Sequence, residues 1–135
     1  MKKILLILLV LISGYLKAQN TYVPDDNFEQ ALINLGLDTA PLDDYVLTSN
    51  IAGVTVLNIN NSNIADLTGI RDFTSLISLN ASTLPQLTSL DVSGLTALEV
   101  LSCNNSNTLS SINLTGLTSL ISLNASTLPQ LTSLD

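Results

Sequence analysis

Side chains that donate and accept hydrogen bonds recur along the chain at a constant interval of 22 residues: Asn58, Asn80, Ser102 and Asn124. Three residues before each of these is a second set at the same interval, of mixed polarity: Thr55, Ile77, Glu99 and Ile121. A carboxamide offers two donors and one acceptor, so evenly spaced amides suit recognition of a glycan or a peptide backbone. We predict that these positions form a binding face. The alternative is a solvated surface, because the face lacks the Trp, Tyr and Arg that dominate interface energetics.

Acidic residues are concentrated in the segment that precedes the first 22-residue repeat. Asp38, Asp43 and Asp44 are carboxylates of the kind that Ca²⁺ prefers, but their spacing matches no EF-hand loop, and a solvated acidic turn is the competing interpretation. Asp26 and Glu29 are three residues apart, which is the spacing of a capping box. We therefore predict that Asp26 accepts hydrogen bonds from free backbone N–H groups at the start of a helix.

Residues for catalysis are missing from the composition. The chain has no histidine and one cysteine, Cys103. A Ser–His or Cys–His nucleophile pair is therefore impossible, zinc lacks its usual ligands, and no Gly-rich phosphate loop occurs. We predict a protein that is not an enzyme and that holds no metal and no cofactor. The place of Cys103 in the repeat predicts a small buried hydrophobe rather than a reactive thiol.

Residues 1–18 have the layout of a secretory signal peptide. Two lysines follow Met1, residues 4–12 are all apolar, and the small Ala18 precedes the predicted cleavage point. The alternative is a membrane anchor, but only 13 residues separate Lys3 from Lys17, whereas a spanning helix needs about 20. We predict a secreted or cell-surface protein with no membrane insertion once the signal is removed.

The charge balance restricts the partners. Arg71 is the only basic residue after position 18, against eleven acidic residues, so residues 19–135 have a net charge of −10. A chain this acidic repels phosphate backbones and anionic lipid surfaces, which excludes nucleic acid as a partner. The oligomeric state is left open.

A sequence repeat predicts the secondary-structure elements that position these residues. Residues 74–91 read TSLISLNASTLPQLTSLD, residues 118–135 have the same letters, and residues 96–113 are a looser copy. Apolar residues stand at positions 1, 4 and 6 of each 22-residue step, the spacing of a short strand whose alternate residues point inward. This period predicts a solenoid of stacked coils, with one parallel strand in each coil and a mostly irregular far side.

Residues 19–50 are predicted to cover the first coil as a helical cap with a connecting loop. The apolar stripe of the predicted helix is Phe28, Ala31, Leu32 and Leu35. Gly36 suits the end of this helix because it adopts the left-handed conformation readily. Residues 51–135 are predicted to form about three complete coils plus a truncated fourth. Because no cap sequence follows that coil, we expect a piece of a longer protein.

Short motifs carry a resemblance to a known family. The segments Val54–Ile59 (VTVLNI) and Leu98–Cys103 (LEVLSC) fit the LxxLxL strand pattern of leucine-rich repeats. The 22-residue period and the Leu67–Ile70 turn are similar to the internalin-like branch of that family. The run Val23–Glu29, followed by Val46–Ile51, resembles the head of secreted leucine-rich-repeat proteins of Bacteroidetes-type bacteria.

The resemblance implies an α/β-type leucine-rich-repeat solenoid outside the cell that binds proteins or surface polymers on its concave face. The family usually has Asn at the ninth position of the repeat, where the side chain ties neighbouring coils together. Here that position holds Ser62, Leu84, Ser106 and Leu128. Either the loop is shifted by one residue, or Ser replaces part of the ladder.

Three functions fit these observations. The first is a non-catalytic module for adhesion or recognition, whose ligand is a protein or a glycan on a surface. The second is the recognition arm of a longer secreted enzyme with its catalytic domain beyond Asp135. The third is a structural spacer, in which the near-identical copies reflect expansion of an array without selection for a site.

Overall fold

The computed structural model describes residues 19–135, and the predicted signal peptide lies outside the described residues. The N-terminal part contains strand β1 (Asn20–Tyr22), helix α1 (Asp26–Asn34), strand β2 (Tyr45–Leu47) and the short helix α2 (Thr48–Ile51). β1 and β2 pair antiparallel, with Thr21 opposite Val46. The sequence did not predict this pair, because each strand has only three residues and its partner is more than twenty residues away.

Helix α1 begins one residue earlier than predicted, so the capping-box assignment to Asp26 is wrong. The N-cap residue is Asp25, whose Oδ1 accepts from the N–H groups of Asn27 and Phe28 at 2.9 and 3.0 Å. Asp26 is exposed. Glu29 is fully buried, and its carboxylate accepts from the backbone N–H groups of Asp43 and Asp44 at 2.7 and 3.0 Å. The second acid of the predicted box therefore fixes the connecting loop instead of the helix start.

The repeats form the predicted solenoid. Its first sheet contains one strand from each coil: β3 (Val56–Asn58), β4 (Ser78–Asn80), β6 (Val100–Ser102) and β8 (Ser122–Asn124). All pairs are parallel, and Leu57, Leu79, Leu101 and Leu123 stand side by side. In each strand the middle leucine points inward, and the residues on either side of it face the opposite way.

The far side is more regular than the sequence predicted. A second parallel sheet contains β5 (Ser89–Asp91), β7 (Ser111–Asn113) and β9 (Ser133–Leu134). Each of these segments places one apolar residue after a serine, which is the alternation of a half-buried strand. The first coil lacks that alternation and has a 3₁₀ helix, Ile70–Asp72, at this side.

One continuous apolar core joins the cap to the coils. Phe28 and Leu32 of α1 are fully buried, and the Phe28 ring stacks on Phe73 of the first coil at a centroid distance of 6.5 Å. Cys103 is buried in the same core, as its repeat position predicts, and burial raises the pKa of its thiol to about 11. Among residues 19–135, no helix has both the length and the apolarity to cross a bilayer.

Candidate binding face

The first sheet brings the eight predicted site positions together as two columns. Asn58, Asn80, Ser102 and Asn124 are direct neighbours in register across β3, β4, β6 and β8. The other column lies just before these strands. The Thr55 carbonyl accepts from the N–H groups of Ile77 and Ser78, and the same arrangement continues from Ile77 to Glu99 and from Glu99 to Ile121. Ligand binding by these columns remains a prediction.

In the first column the side-chain oxygens of the three asparagines are hydrogen-bonded within the protein. The Asn80 Oδ1 accepts from the Ser82 N–H at 3.2 Å, and Asn58 and Asn124 make the same turn to residues 60 and 126. This local bond ends each strand, as Asn and Asp side chains commonly do in turns. The carboxamide NH₂ groups, each with two donors, are what the column offers to a ligand.

An exposed apolar zigzag lies beside the amides. Val56 and Ile121 expose 66% and 80% of their surface, and Ile77 and Val100 are also exposed. The coils alternate, because the first and third place valine on the strand and the second and fourth place isoleucine one residue earlier. Exposed large apolar residues in a contiguous row are typical of interaction surfaces, whereas single ones are ordinary.

The electrostatics of the sheet are neutral to acidic. Glu99 is the one titratable residue in the two predicted columns. Arg71, the only cation among residues 19–135, lies on the other side of the solenoid, where its Nε donates to the Ser93 carbonyl at 3.1 Å. Anionic ligands therefore find no counter-charge on the first sheet.

The loops after the strands hold the columns in register. Asn61, Thr83, Asn105 and Thr127 share a positive φ of 54° to 58° at the same repeat position. The N–H of each of the first three donates to a carbonyl of the next coil. At the ninth position the Ser106 Oγ accepts from the buried Leu84 N–H at 3.1 Å. Serine therefore replaces the expected Asn ladder between the second and third coils.

The acidic loop does not assemble as a calcium site. Within residues 19–135 no group of three or more His, Cys, Asp or Glu side chains is gathered closely enough to hold a metal ion. The Asp43 Oδ1 accepts from the Tyr45 N–H at 3.0 Å, and the N–H groups of Asp43 and Asp44 are bound to Glu29. Asp43 and Asp44 therefore shape the turn before β2.

A cleft on the far side was not foreseen from the sequence. Its volume is 470 Å³, and its walls are β1, the 66–69 turn, the 3₁₀ helix and strand β5. Three carboxylates line it, those of Asp66, Asp72 and Asp91. Asp91 Oδ2 lies 3.8 Å from an Arg71 guanidinium nitrogen. Burial alone would raise the pKa of Asp91, but hydrogen bonds from Ser93 and the charge of Arg71 hold it below its ordinary value.

The sequence does contain a signal for this cleft. Asp66-Leu-Thr-Gly, Asp91-Val-Ser-Gly and Asn113-Leu-Thr-Gly share one pattern, in which the first residue accepts from the N–H two residues later. The glycine at the end of each has a positive φ. At Gly69 a Cβ would lie 2.8 Å from the Tyr22 carbonyl oxygen, so only glycine lets β1 pass over this turn.

Comparison with known proteins identifies relatives of the repeat region. A family model described as the "Endo-beta-N-acetylglucosaminidase EndoS LRR domain" matches residues 49–135. No curated protein matches the chain. Among solved structures, the chain is similar to one titled "Functional domain of InlJ from Listeria monocytogenes includes a cysteine ladder", with 24% identity and a TM-score of 0.43. That alignment covers 89% of this chain and 36% of the other, so the chain spans about a third of that structure.

Proposed function

Because the chain belongs to the leucine-rich-repeat family represented by the EndoS repeat domain, we propose that it is an extracellular, non-catalytic module that binds a protein or a glycan through its first sheet. Binding is the general work of such repeats, whose stacked strands present an extended surface. The signal-peptide layout of residues 1–18 supports a secreted or surface-displayed location.

The observation that carries this proposal is the pairing of amide donors with an exposed apolar zigzag on one sheet. Asn58, Asn80 and Asn124 present NH₂ groups in line, while Val56, Ile77, Val100 and Ile121 expose apolar surface beside them. Apolar contact supplies the burial that stabilises a complex, and the donors orient the ligand. The lack of histidine in the sequence supports a role without nucleophilic catalysis.

A test of the amide column removes its donors and keeps the acceptor of each turn. Asn58→Asp, Asn80→Asp and Asn124→Asp together keep the Oδ1 acceptor of each turn and remove the NH₂ donors. The matched control is Asn113→Asp on the second sheet, where Oδ1 makes the same turn to the Thr115 N–H at 3.0 Å. Wild type and both variants are screened on protein and glycan arrays. We expect the triple variant to lose the wild-type signals and the control to keep them.

A second test addresses the apolar zigzag. Ile77→Thr with Val100→Thr retains β-branching and removes apolar surface, and Leu42→Thr in the exposed cap loop is the control. Loss of binding in the double variant alone supports the proposal. If both variants of the first sheet bind every wild-type ligand with unchanged affinity, this sheet is not the binding face.

A second candidate function is the recognition arm of a glycan-acting enzyme. The family description names an endo-β-N-acetylglucosaminidase, which favours a ligand that carries a glycan with N-acetylglucosamine. This candidate predicts binding to a glycoprotein that disappears when its glycans are removed enzymatically. Binding that persists on the deglycosylated protein favours the protein-recognition module instead.

A further inference from the structure

Strand β5 is the open edge of the second sheet. It pairs with β7 on one side, and on the other side the first coil contributes no strand within the described residues 19–135. The Thr88 carbonyl accepts from Ser110 and the Val92 N–H donates to Asn113, so the even-numbered backbone groups face β7. Because successive residues of a strand direct their backbone groups to opposite sides, those of Ser89 and Asp91 face away from β7.

The cleft of 470 Å³ lies against this edge, since Ser89 and Asp91 line it. Its volume falls within the range of about 300–1,000 Å³ that is typical of ligand sites. Ser89 and Asp91 together offer two N–H donors and two carbonyl acceptors along one line. An unpaired edge of this kind is a template for an added strand.

The negative charge of the cleft favours an added peptide strand that carries basic side chains. Asp66, Asp72 and Asp91 outnumber the single Arg71, and Arg71 is directed toward Ser93 and Asp91. The Thr68 N–H and hydroxyl both bind Asp66 Oδ1, and the Thr21 hydroxyl binds Asp72 Oδ2. In an added parallel or antiparallel strand, the outward side chains stand beside those of Ser89 and Asp91, where a cation forms a favourable cross-strand pair.

We propose that this cleft binds an extended peptide segment with Lys or Arg at alternate positions, which adds a strand to the β5 edge. The peptide backbone pairs with Ser89 and Asp91, and its basic side chains lie toward the carboxylates of Asp91 and Asp66. The site is on the opposite side of the solenoid from the first sheet, so it is independent of the ligand proposed above.

The direct test is calorimetric titration with the blocked heptapeptide Thr-Lys-Thr-Lys-Thr-Lys-Thr. We expect measurable binding that weakens with added salt, and binding weaker by about tenfold or more for the same peptide with Glu in place of Lys. A Lys peptide with N-methylated backbone amides should also bind at least about tenfold more weakly, because it lacks the donors of a strand.

Two variants of the chain separate the backbone edge from the charge. Asp91→Asn keeps the acceptor for the Ser93 N–H, and Asn113 stands at the same place in the next coil. It should weaken peptide binding by about three- to tenfold. Ser89→Pro removes an N–H that faces the cleft and should abolish binding while the far-ultraviolet circular dichroism stays unchanged. By contrast, Ser110→Pro removes the N–H that donates to the Thr88 carbonyl at 2.9 Å and should destabilise the fold.

Several outcomes overturn the proposal. One is equal binding of the N-methylated and unmodified Lys peptides, which indicates charge attraction without strand addition. Another is no binding of the Lys peptide at millimolar concentration. A third is a concentration-dependent dimer that Ser89→Pro disrupts, which assigns the edge to a second copy of the chain.

Discussion

Residues 74–91 and 118–135 have identical sequences and the same backbone elements, yet they differ in what covers them. In the first copy, Leu79 and Leu90 are 0% and 1% exposed, because coils lie on both sides. In the second copy, the equivalent Leu123 and Leu134 are 37% and 53% exposed. Local backbone conformation therefore follows from the local sequence, whereas the burial of a side chain depends on the adjacent coils. Single substitutions in the two copies separate these two contributions.

The largest difference is expected from a charge in the second sheet. Leu90→Asp places a carboxylate in the core between β5 and β7 and should cost more than about 4 kcal/mol, enough to abolish cooperative unfolding. Leu134→Asp has the same local sequence and should cost less than about 1 kcal/mol, because that side chain already meets water. Thermal unfolding followed by circular dichroism distinguishes the two. Similar melting curves for both variants would show that the cost does not depend on burial by the neighbouring coils.

The cap does for the first coil what a neighbouring coil does for the others. Asp25 connects them: one oxygen caps α1, and Oδ2 accepts from the N–H groups of Ala65 and Asp66 at 2.8 and 3.0 Å. Asp25→Ala leaves these donors without a partner and should lower the free energy of unfolding by about 2–4 kcal/mol. The adjacent Asp26→Ala should change it by less than about 0.5 kcal/mol. Urea denaturation measures both, and a larger loss for Asp26→Ala would restore the capping-box assignment.

A smaller effect is expected at the ladder between the second and third coils. Ser106→Ala removes the acceptor of the buried Leu84 N–H and should cost about 1–3 kcal/mol. Ser62 occupies the same repeat position in the first coil, but its Oγ donates within the coil to the Ile59 carbonyl. Ser62→Ala should therefore cost less than Ser106→Ala. Hydrogen exchange provides a local check, because the Leu84 amide should lose protection in Ser106→Ala alone.

The smallest effect should be equal in the two copies. Thr83 and Thr127 have φ angles of 57° and 56°, a region that a β-branched residue adopts only with strain. Asn61 and Asn105 occupy the same place in the other coils. Thr83→Asn and Thr127→Asn should each stabilise the chain by about 0.5–1 kcal/mol. Equal gains show that this strain is local, and a gain confined to Thr83→Asn would show that it depends on packing.

The parts of the fold that were predictable are those in which the chemistry repeats. The 22-residue period predicted the inward leucines, the parallel register and the burial of Cys103, because each coil imposes the same alternation. The β1–β2 pair and the role of Glu29 were not predictable, since they depend on contacts between segments far apart in the sequence. The Asp25 cap was missed because two adjacent acids, Asp25 and Asp26, stand at the start of α1 and the sequence does not say which one faces the first coil.

The candidate site was predictable to the same extent. The period placed Asn58, Asn80 and Asn124 in one column. It did not reveal that the side-chain Oδ1 of each accepts the hydrogen bond of the turn that follows the strand. The far-side cleft was missed because β1, the 66–69 turn and β5 meet only in three dimensions. The alternation around Leu90 and Ile112 was the available signal for the second sheet.

The dependence of each coil on the coils that cover it is tested by removing one leucine from each identical copy. Leu79→Ala and Leu123→Ala have the same neighbours in sequence, and both are measured by urea denaturation with hydrogen exchange to localise the loss. We expect the free energy of unfolding to fall by about 3–5 kcal/mol in Leu79→Ala and by about 1 kcal/mol or less in Leu123→Ala. Equal losses in the two copies would contradict the claim that each coil is held by the coils that cover it.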